Sequence, residues 1–478
     1  MNSQTMSILL AEDTIAAIAT ASGMGAIGIV RISGPRSIEI AEACFQSNGL
    51  ELGQIPCRKL TLGQWLDGPG GELLDEVLIA VMRSPRSYTC EDVVEVYGHG
   101  GPLVLSEILR SIIRLGARPA EPGEFTFRAF RNGRINLLQA EAVMDLIEST
   151  TVSSRRLALR SLRGEMGKTV SDMREKLHEV LVQMEAHLEF PMEEIEAVPE
   201  ASLRDILIWI KDKVKELLDM ASRRELYRRG VYTLITGRPN VGKSLFFNRL
   251  VGRSRALVTP YAGTTRDTLE ETVRLGQVEL LLVDSAGGAD HLAGELERLG
   301  IERAIDAAKQ ADMIWFVIDA SEGITPEDVS WLGRIRAVEH IEQKEMLLLF
   351  NKMDLADREC ALKDTPFENE FPPERRFKVS AKTGEGIDEF IAEVESICRS
   401  RSGWFSEEAL LINPRQQRKL VEIESSMKEI FQALQSGITT ECLVVDLHRM
   451  MKVLDELDGT RPSEDLMGEI FSRFCIGK

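Results

Sequence analysis

Gly237-Arg-Pro-Asn-Val-Gly242-Lys243-Ser244 is the stretch on which the reading of this chain turns. Its spacing is G-x-x-x-x-G-K-[ST], in which glycines let backbone N–H groups turn inward around phosphate oxygens while the lysine reaches the β- and γ-phosphates. The preceding Val231-Tyr-Thr-Leu-Ile-Thr236 is apolar and β-rich, and Ser244-Leu245-Phe-Phe-Asn-Arg-Leu250 opens a helical pattern. Strand, loop and helix in that order set phosphates at a helix N-terminus, where the macrodipole favours negative charge. The loop by itself is shared by ATPases and kinases.

Three further strings narrow it: Thr264-Thr265, Asp284-Ser285-Ala286-Gly287 and Asn351-Lys352-Met-Asp354. The Asp of N-K-x-D can accept two hydrogen bonds from the N1–H and exocyclic amine of guanine. Adenine offers no matching pair, and a carboxylate left unpaired in such a site discriminates by roughly 10⁴-fold. Val278-Glu-Leu-Leu-Leu-Val283 reads as a buried strand that delivers Asp284 to its C-terminal end, where a carboxylate holds Mg²⁺ through water. Met313–Ile318 and Met346–Phe350 are two more strands, and Phe377-Lys-Val379 leads into Ser380-Ala381-Lys382, whose backbone N–H can meet the guanine O6. Strands alternating with helices predict a mostly parallel sheet with ligands at the C-terminal strand ends. GTP and GDP are the expected ligands, held by Asn240, Val241, Gly242, Lys243, Ser244 and Leu245 together with these strings.

A length of 478 residues is too great for one core and predicts two to four domains. The seven cysteines form no C-x-x-C and have no His cluster beside them, so neither a zinc site nor a disulfide framework is expected. No apolar run approaches ~18 residues and no signal-peptide pattern opens the chain, which predicts a cytoplasmic protein without a membrane segment. A net charge of −18 argues against sequence-blind nucleic-acid binding over the whole surface. A basic run (Arg110, Arg114, Arg118, Arg128, Arg131, Arg134, then Arg155, Arg156, Arg160, Arg163 and Lys168) reads as a solvated helix face, with an RNA contact as the alternative.

Periodicity divides the rest. Residues 1–130 read as a small α+β domain, with strands at Thr14–Ala19, Ala26–Ile32 and Val93–Tyr97, the turn Ser22-Gly-Met-Gly25, and a helix through Leu115. His99, within Gly98-His99-Gly100-Gly101, reads as a helix cap or backbone partner, with a catalytic role as the alternative. Helical pattern runs from Gln139 to Phe190, from Ser202 (as N-cap) to Arg228, and again over Glu407–Leu434 and Glu441–Leu457. Helices on both sides of one α/β segment predict a discontinuous helical-bundle domain, 131–228 and 395–478, interrupted by an inserted Ras-like P-loop GTPase domain at 229–394. The fold class is therefore multidomain α/β plus α.

The chain resembles the tRNA-modifying GTPase family usually called MnmE or TrmE. The resemblance is carried by Ile29-Val-Arg31-Ile-Ser-Gly34, Gly98-His-Gly-Gly101, Pro122-Gly-Glu-Phe125, Leu137-Leu-Gln-Ala-Glu-Ala142, Gly263-Thr-Thr-Arg-Asp267, Ile301-Glu-Arg-Ala304 and the terminal Phe474-Cys475-Ile-Gly-Lys478. It covers essentially the whole chain. The resemblance implies an enzyme that acts as a homodimer through its N-terminal domain, with an FAD-containing partner protein in a heterotetramer. The reaction implied adds an aminomethyl or carboxymethylaminomethyl group at C5 of the wobble uridine of certain tRNAs. The one-carbon donor implied is a tetrahydrofolate derivative, 5-formyl- or methylene-tetrahydrofolate.

Residue by residue, the resemblance implies a K⁺ site at Asn240, Thr259, Tyr261 and Thr264, the Thr259 and Thr264 positions also bordering the nucleotide. Such a cation would neutralise charge developing between the β- and γ-phosphates, where other GTPases place an arginine finger. Ser244 and Thr265 would ligate Mg²⁺, Lys243 would assist catalysis, and Glu297 would orient the attacking water indirectly. Arg31, Glu95, Arg134 and Lys478 would hold the folate, with Cys475 near its pocket. Two positions depart from the pattern: Arg134 stands where relatives have lysine, which changes donor geometry, and Gly288 where a hydrophobic residue is usual. A competing function is a GTP-dependent RNA or ribosome assembly factor that does no chemistry on the RNA; Arg31, Glu95 and Cys475 converging on one pocket would argue against it.

Overall fold

The computed structural model describes residues 12–47, 51–190, 198–254, 269–276, 278–284, 295–356, 367, 370–401, 409–462 and 464–477, with only the backbone described at 254, 269, 295–300, 464 and 465. They form two compact units: Met1–Glu148 with Ala158–Glu216 and Pro414–Lys478, and Ser149–Leu157 with Leu217–Asn413.

The first unit contains β1 (Ile15–Ile18), β2 (Ile27–Ser33), β3 (Phe45–Gln46), β4 (Thr61–Leu66), β5 (Leu73–Met82), β6 (Val93–His99) and β7 (Arg118–Pro119), in the sheet order β3-β4-β5-β6-β2-β1-β7. Alternation sorts the side chains by face. Val30, Ile32, Val77, Ile79, Val81, Val94 and Val96 bury against Ile40 and Ala41 of the helix Ser37–Cys44 and against Leu105, Ile108 and Ile112 of the helix Pro102–Arg114. Arg31, Glu95 and Tyr97 stand on the opposite parity, so the sheet has one packed face and one chemical face. Sequence reading finds β1, β2 and β6 but not the short β3 and β7, nor β4, whose apolar run is interrupted by Gly63-Gln64, nor β5, whose apolar Val77–Met82 follows the polar Asp75-Glu76.

The same unit holds the helical bundle. The periodic stretch read as continuous from Gln139 is broken into Leu137–Ile147, Val152–Leu162 and Glu165–Glu189, the last break falling at Gly164 with its left-handed φ of 89°. The next helix is Glu200–Ser222, so Ser202 lies inside the first turn, its N–H bonded to Pro199 O, and is not the N-cap. The helix expected from Glu407 begins at Pro414, because a residue before proline is forced out of the α region. Thr440–Asp458 packs on both Pro414–Gln435 and Glu165–Glu189, which confirms a bundle built from two separated stretches of chain. A buried ion pair ties them: Arg415 Nε donates to Glu141 Oε1 at 2.6 Å and Nη2 to Oε2 at 2.8 Å, while Gln416 donates to the same carboxylate at 2.7 Å.

In the second unit β8 (Val231–Thr236), β9 (Leu269–Leu275), β10 (Val278–Asp284), β11 (Met313–Asp319), β12 (Glu345–Asn351) and β13 (Arg376–Lys378) form one sheet in the order β13-β12-β11-β8-β10-β9. Every pairing is parallel except that of β9 with β10. The strands β8 and β11 are buried along their whole length, as a sheet covered on both faces requires. Trp315 anchors one side, 4.8 Å from the Phe390 ring and 6.1 Å from Phe246. Parallel topology brings the ends of β8, β10, β11 and β12 to one edge.

Glu141→Ala leaves the Arg415 guanidinium buried without its carboxylate, and the expected loss of stability is about 3–5 kcal/mol in urea unfolding. A loss below about 1 kcal/mol would show that the pair does not join the two halves of the bundle.

Candidate functional site

The phosphate loop follows β8. Gly237 has φ 150°, and a methyl there would lie 2.3 Å from Val317 O, so only glycine lets the loop pass this close to β11. Asn240 takes a left-handed φ of 64°, which asparagine tolerates. The helix Lys243–Ser254 then begins, with Leu245 exposed in its first turn. Lys243 Nζ donates to Arg238 O at 2.8 Å across the loop. Ser244 Oγ donates to Asp284 Oδ2 at 2.8 Å, which brings the helix start to the end of β10. Two hard oxygen donors this close suit Mg²⁺ beside a nucleotide phosphate. Among the described residues no cluster of three or more His, Cys, Asp and Glu could hold a metal ion.

The end of β12 carries the residues expected to meet the base. Asn351 Nδ2 donates to Val241 O at 2.8 Å, and its Oδ1 accepts from Ala381 N–H at 2.9 Å. One buried amide therefore locks the phosphate loop to the Ser380-Ala381-Lys382 loop. Lys352, at a left-handed φ of 64°, reaches Asp319 Oδ2 at 2.6 Å. Burial pushes the Asp319 carboxyl up, but the hydrogen bonds from Lys352 and Ser321 outweigh it and leave the group below the usual carboxylate range. Asp354 is exposed, and Ser380 Oγ donates to its Oδ1 at 2.6 Å. Its carboxylate is thus oriented, and among the described residues no donor meets its other oxygen. Arg249 Nε holds Ala381 O at 2.9 Å, and its Nη2 also reaches Lys382 O.

Several expected site residues lie outside the described residues: Thr259, Tyr261, Thr264, Thr265, Ser285, Ala286, Gly287, Gly288 and Lys478. Glu297 falls in the helix Glu295–Gln310, with only its backbone described.

A second constellation occupies the chemical face of the first unit. Antiparallel register sets Arg31 of β2 opposite Glu95 of β6, and Arg31 Nε donates to Glu95 Oε1 at 2.8 Å. Tyr97 Oη donates to the other oxygen at 2.6 Å. Burial and this hydrogen bond push the Tyr97 phenol up to about 12. Arg31 Cζ lies 5.6 Å from the ring centres of both Tyr88 and Phe125, and Arg134 Cζ lies 5.0 Å from Tyr88. The chain's own tail closes the group: Arg31 Nη1 donates to Gly477 O at 3.3 Å. Gly477 has φ 93° and a methyl there would sit 2.4 Å from Ile18 O, so glycine is required at this seat. Tail and N-terminal domain thus meet within one chain. Cys475 is exposed two residues earlier. Tyr88, Tyr97 and Phe125 escaped sequence reading; only the period-two relation of Tyr97 to Glu95 pointed to it.

Two other readings change. The first part of the basic run divides: Arg110, Arg114 and Arg134 are exposed, as a solvated face predicts, whereas Arg118, Arg128 and Arg131 are drawn inward against carboxylates. Arg128 is fully buried and bonds Asp13 Oδ1 at 2.6 Å, Glu124 Oε1 at 3.0 Å and Glu91 Oε2 at 3.1 Å. Arg118 meets Asp13 and Glu124, Arg131 meets Glu91, Arg110 meets Glu107, and Arg114 meets Asp67. His99 caps no helix; its Nδ1 lies 2.7 Å from Asp75 Oδ1, a bond that raises the pKa of this exposed imidazole.

A parallel sheet with G-x-x-x-x-G-K-S at one strand end and N-K-x-D at another defines a P-loop GTPase of the guanine-specific class. Residues 137–475 match the family model described as the MnmE helical domain, and residues 14–134 match that of the GTP-binding protein TrmE N-terminus. The tRNA modification GTPase MnmE of Symbiobacterium thermophilum is 40% identical over 471 residues, 98% of this chain and 100% of that protein. The MnmE of Moorella thermoacetica is 40% identical over 473 residues, again 98% and 100%. That of Staphylococcus aureus is 35% identical over 475 residues, 98% and 99%. The chain belongs to the tRNA modification GTPase MnmE family.

Asp354→Asn is expected to weaken GTP binding by about 3 kcal/mol, because two charge-assisted hydrogen bonds to guanine are lost, and to admit xanthine nucleotides instead. Titration with fluorescent GDP and XDP checks this; unchanged guanine affinity would remove Asp354 from the base site.

Proposed function

We propose that this chain hydrolyses GTP to drive modification of tRNA at C5 of the wobble uridine, adding an aminomethyl or carboxymethylaminomethyl group. It acts in the cytoplasm as a homodimer through the N-terminal domain, with an FAD-dependent partner protein in a heterotetramer. A tetrahydrofolate derivative, 5-formyl or methylene, supplies the one-carbon unit. Membership in a family of tRNA modification GTPases supports the coarse reading. Among the described residues no helix is long and apolar enough to cross a membrane.

The observation that carries the finer reading is the constellation of Arg31, Glu95 and Tyr97 with the returning Gly477. A GTP-dependent assembly factor has no need of it. Glu95, held by a cation and a phenol, presents a fixed carboxylate, which suits the adjacent amide and amine of a pterin in the way Asp354 suits guanine. Arg31 and Arg134 offer cationic partners for the folate's carboxylates, and Tyr88 and Phe125 offer aromatic walls. Lys478 would add a charge, and Cys475 stands near enough in sequence to act there.

In the nucleotide site, Ser244 and Thr265 would hold Mg²⁺, with Asp284 holding it through water, and the ion would neutralise phosphate charge. Asn240 is proposed to ligate K⁺ through its side-chain oxygen, with Thr259, Tyr261 and Thr264 completing the shell, and Lys243 to neutralise phosphate charge. Glu297 is assigned to orient the attacking water through an intermediary.

GTP turnover in K⁺ is expected to exceed that in Na⁺ by at least about tenfold, as Na⁺ is too small to fill the same ligand set. Equal rates in the two salts would count against Asn240 as a K⁺ ligand. Mass spectrometry of wobble uridines tests the chemistry: cells lacking this protein should lose the C5 modification, and Glu95→Ala should fail to restore it while keeping GTP hydrolysis within about twofold. Undiminished modification in either case would favour the assembly-factor function.

A further inference from the structure

Glu279 stands near the start of β10, the strand whose far end carries Asp284, and its side chain is buried. Its carboxylate accepts from the backbone N–H groups of Val152 at 2.6 Å and Ser153 at 3.2 Å, the first two residues of the helix Val152–Leu162. The next two donors are met locally, Ser154 N–H by Thr151 Oγ1 at 2.9 Å and Arg155 N–H by Thr151 O at 3.1 Å. A helix start leaves the N–H groups of Val152, Ser153 and Ser154 without intrahelical partners and carries partial positive charge, so a buried carboxylate there is strongly held. The cap is shared: the flanking Thr151 meets the Ser154 N–H, while the N–H groups of Val152 and Ser153 are met by a residue more than a hundred positions away on the GTPase sheet.

The same spot pins the chain entering that sheet. Thr151 Oγ1 donates to Tyr227 O at 2.6 Å and Thr150 Oγ1 to Arg228 O at 2.9 Å. Gly230 has φ 82°, and a methyl there would lie 2.5 Å from Glu279 O. Leu157, Tyr227, Ala409 and Leu411 close into one buried cluster. Three stretches of chain therefore converge on one end of β10, while its other end sits against Ser244. The strand between Glu279 and Asp284 spans about 17 Å and is hydrogen-bonded on both sides, to β8, which ends in the phosphate loop, and to β9. A strand held on both edges moves as one piece.

We propose that Glu279 is a coupling residue, through which a nucleotide-dependent shift of β10 at Asp284 alters the N-terminal cap of the helix Val152–Leu162. Coupling requires the cap to be stronger in one nucleotide state than in the other. The inference goes beyond the tRNA chemistry above and needs only that the site binds a guanine nucleotide.

Hydrogen exchange of the full-length protein, with GDP and with a non-hydrolysable GTP analogue, tests it, with binding of each nucleotide measured in parallel. The amides of residues 152–155 are expected to exchange at rates differing by roughly tenfold between the two states, the scale of one lost cap. Glu279→Ala should abolish that difference while GDP affinity stays within about twofold, and Glu279→Gln, which keeps one acceptor oxygen, should restore part of it. Equal exchange in both states of the unaltered protein would overturn the proposal, as would a full difference surviving in Glu279→Ala. Should the alanine variant not fold, an undiminished difference in Glu279→Gln would overturn it and a reduced one would support it. Failure of both nucleotides to bind would overturn the coupling and the nucleotide site together.

Discussion

The nucleotide site depends on one side-chain amide. Asn351 gives its N–H to Val241 O in the phosphate loop and takes the Ala381 N–H into its oxygen, so two loops from distant parts of the chain are fixed by one planar group. Both bonds are buried, where an unpaired donor or acceptor is costly, and neither loop can shift without breaking one. Gly242 shows how tight the junction is: a methyl there would come within 2.4 Å of the Asn351 amide nitrogen. The phosphate loop and the Ser380-Ala381-Lys382 loop are therefore one rigid device, delivered to a common edge by parallel strands. Asp319 with Lys352, and Asp354 with Ser380, extend the same arrangement outward.

The first unit solves a different problem with a different tool. Antiparallel register places Arg31 and Glu95 side by side, and the fixed alternation of a strand puts Tyr97 on the same face. Three polar groups on a half-buried face satisfy one another, leaving a carboxylate with a defined direction. Gly477 is held by shape as much as by its hydrogen bond, since Ile18 O leaves no room for a side chain. Behind this group the Arg118–Arg128–Glu124–Asp13–Glu91 network fixes the helix Glu124–Arg131 that carries Phe125. Removing one member of such a buried network leaves uncompensated charge, which makes it a rigid backing.

The GTPase fold and the outline of its site were legible because their signals are local. The phosphate loop is eight consecutive residues, N-K-x-D is four, and each follows an apolar run that reads as a strand. The split helical bundle was legible from apolar periodicity, though the break at Gly164 was missed and the helix that starts at Pro414 was expected to start earlier, at Glu407. What could not be read depends on cross-strand register or on burial. Tyr88 and Phe125 join Arg31 only through tertiary packing. Arg128 looks like any arginine in a basic run until three carboxylates surround it. Glu279 reads as a polar residue in a strand, and nothing near it in sequence marks the helix start it caps.

Nucleotide turnover and RNA chemistry meet in a single claim: hydrolysis of GTP, not its mere binding, drives the modification of tRNA. The most direct measurement adds the purified protein to an extract of cells that lack it and quantifies modified wobble uridine by mass spectrometry, with GTP in one reaction and a non-hydrolysable analogue in the other. The account predicts modified uridine accumulating with GTP and remaining at background with the analogue. Equal product in the two reactions would contradict it.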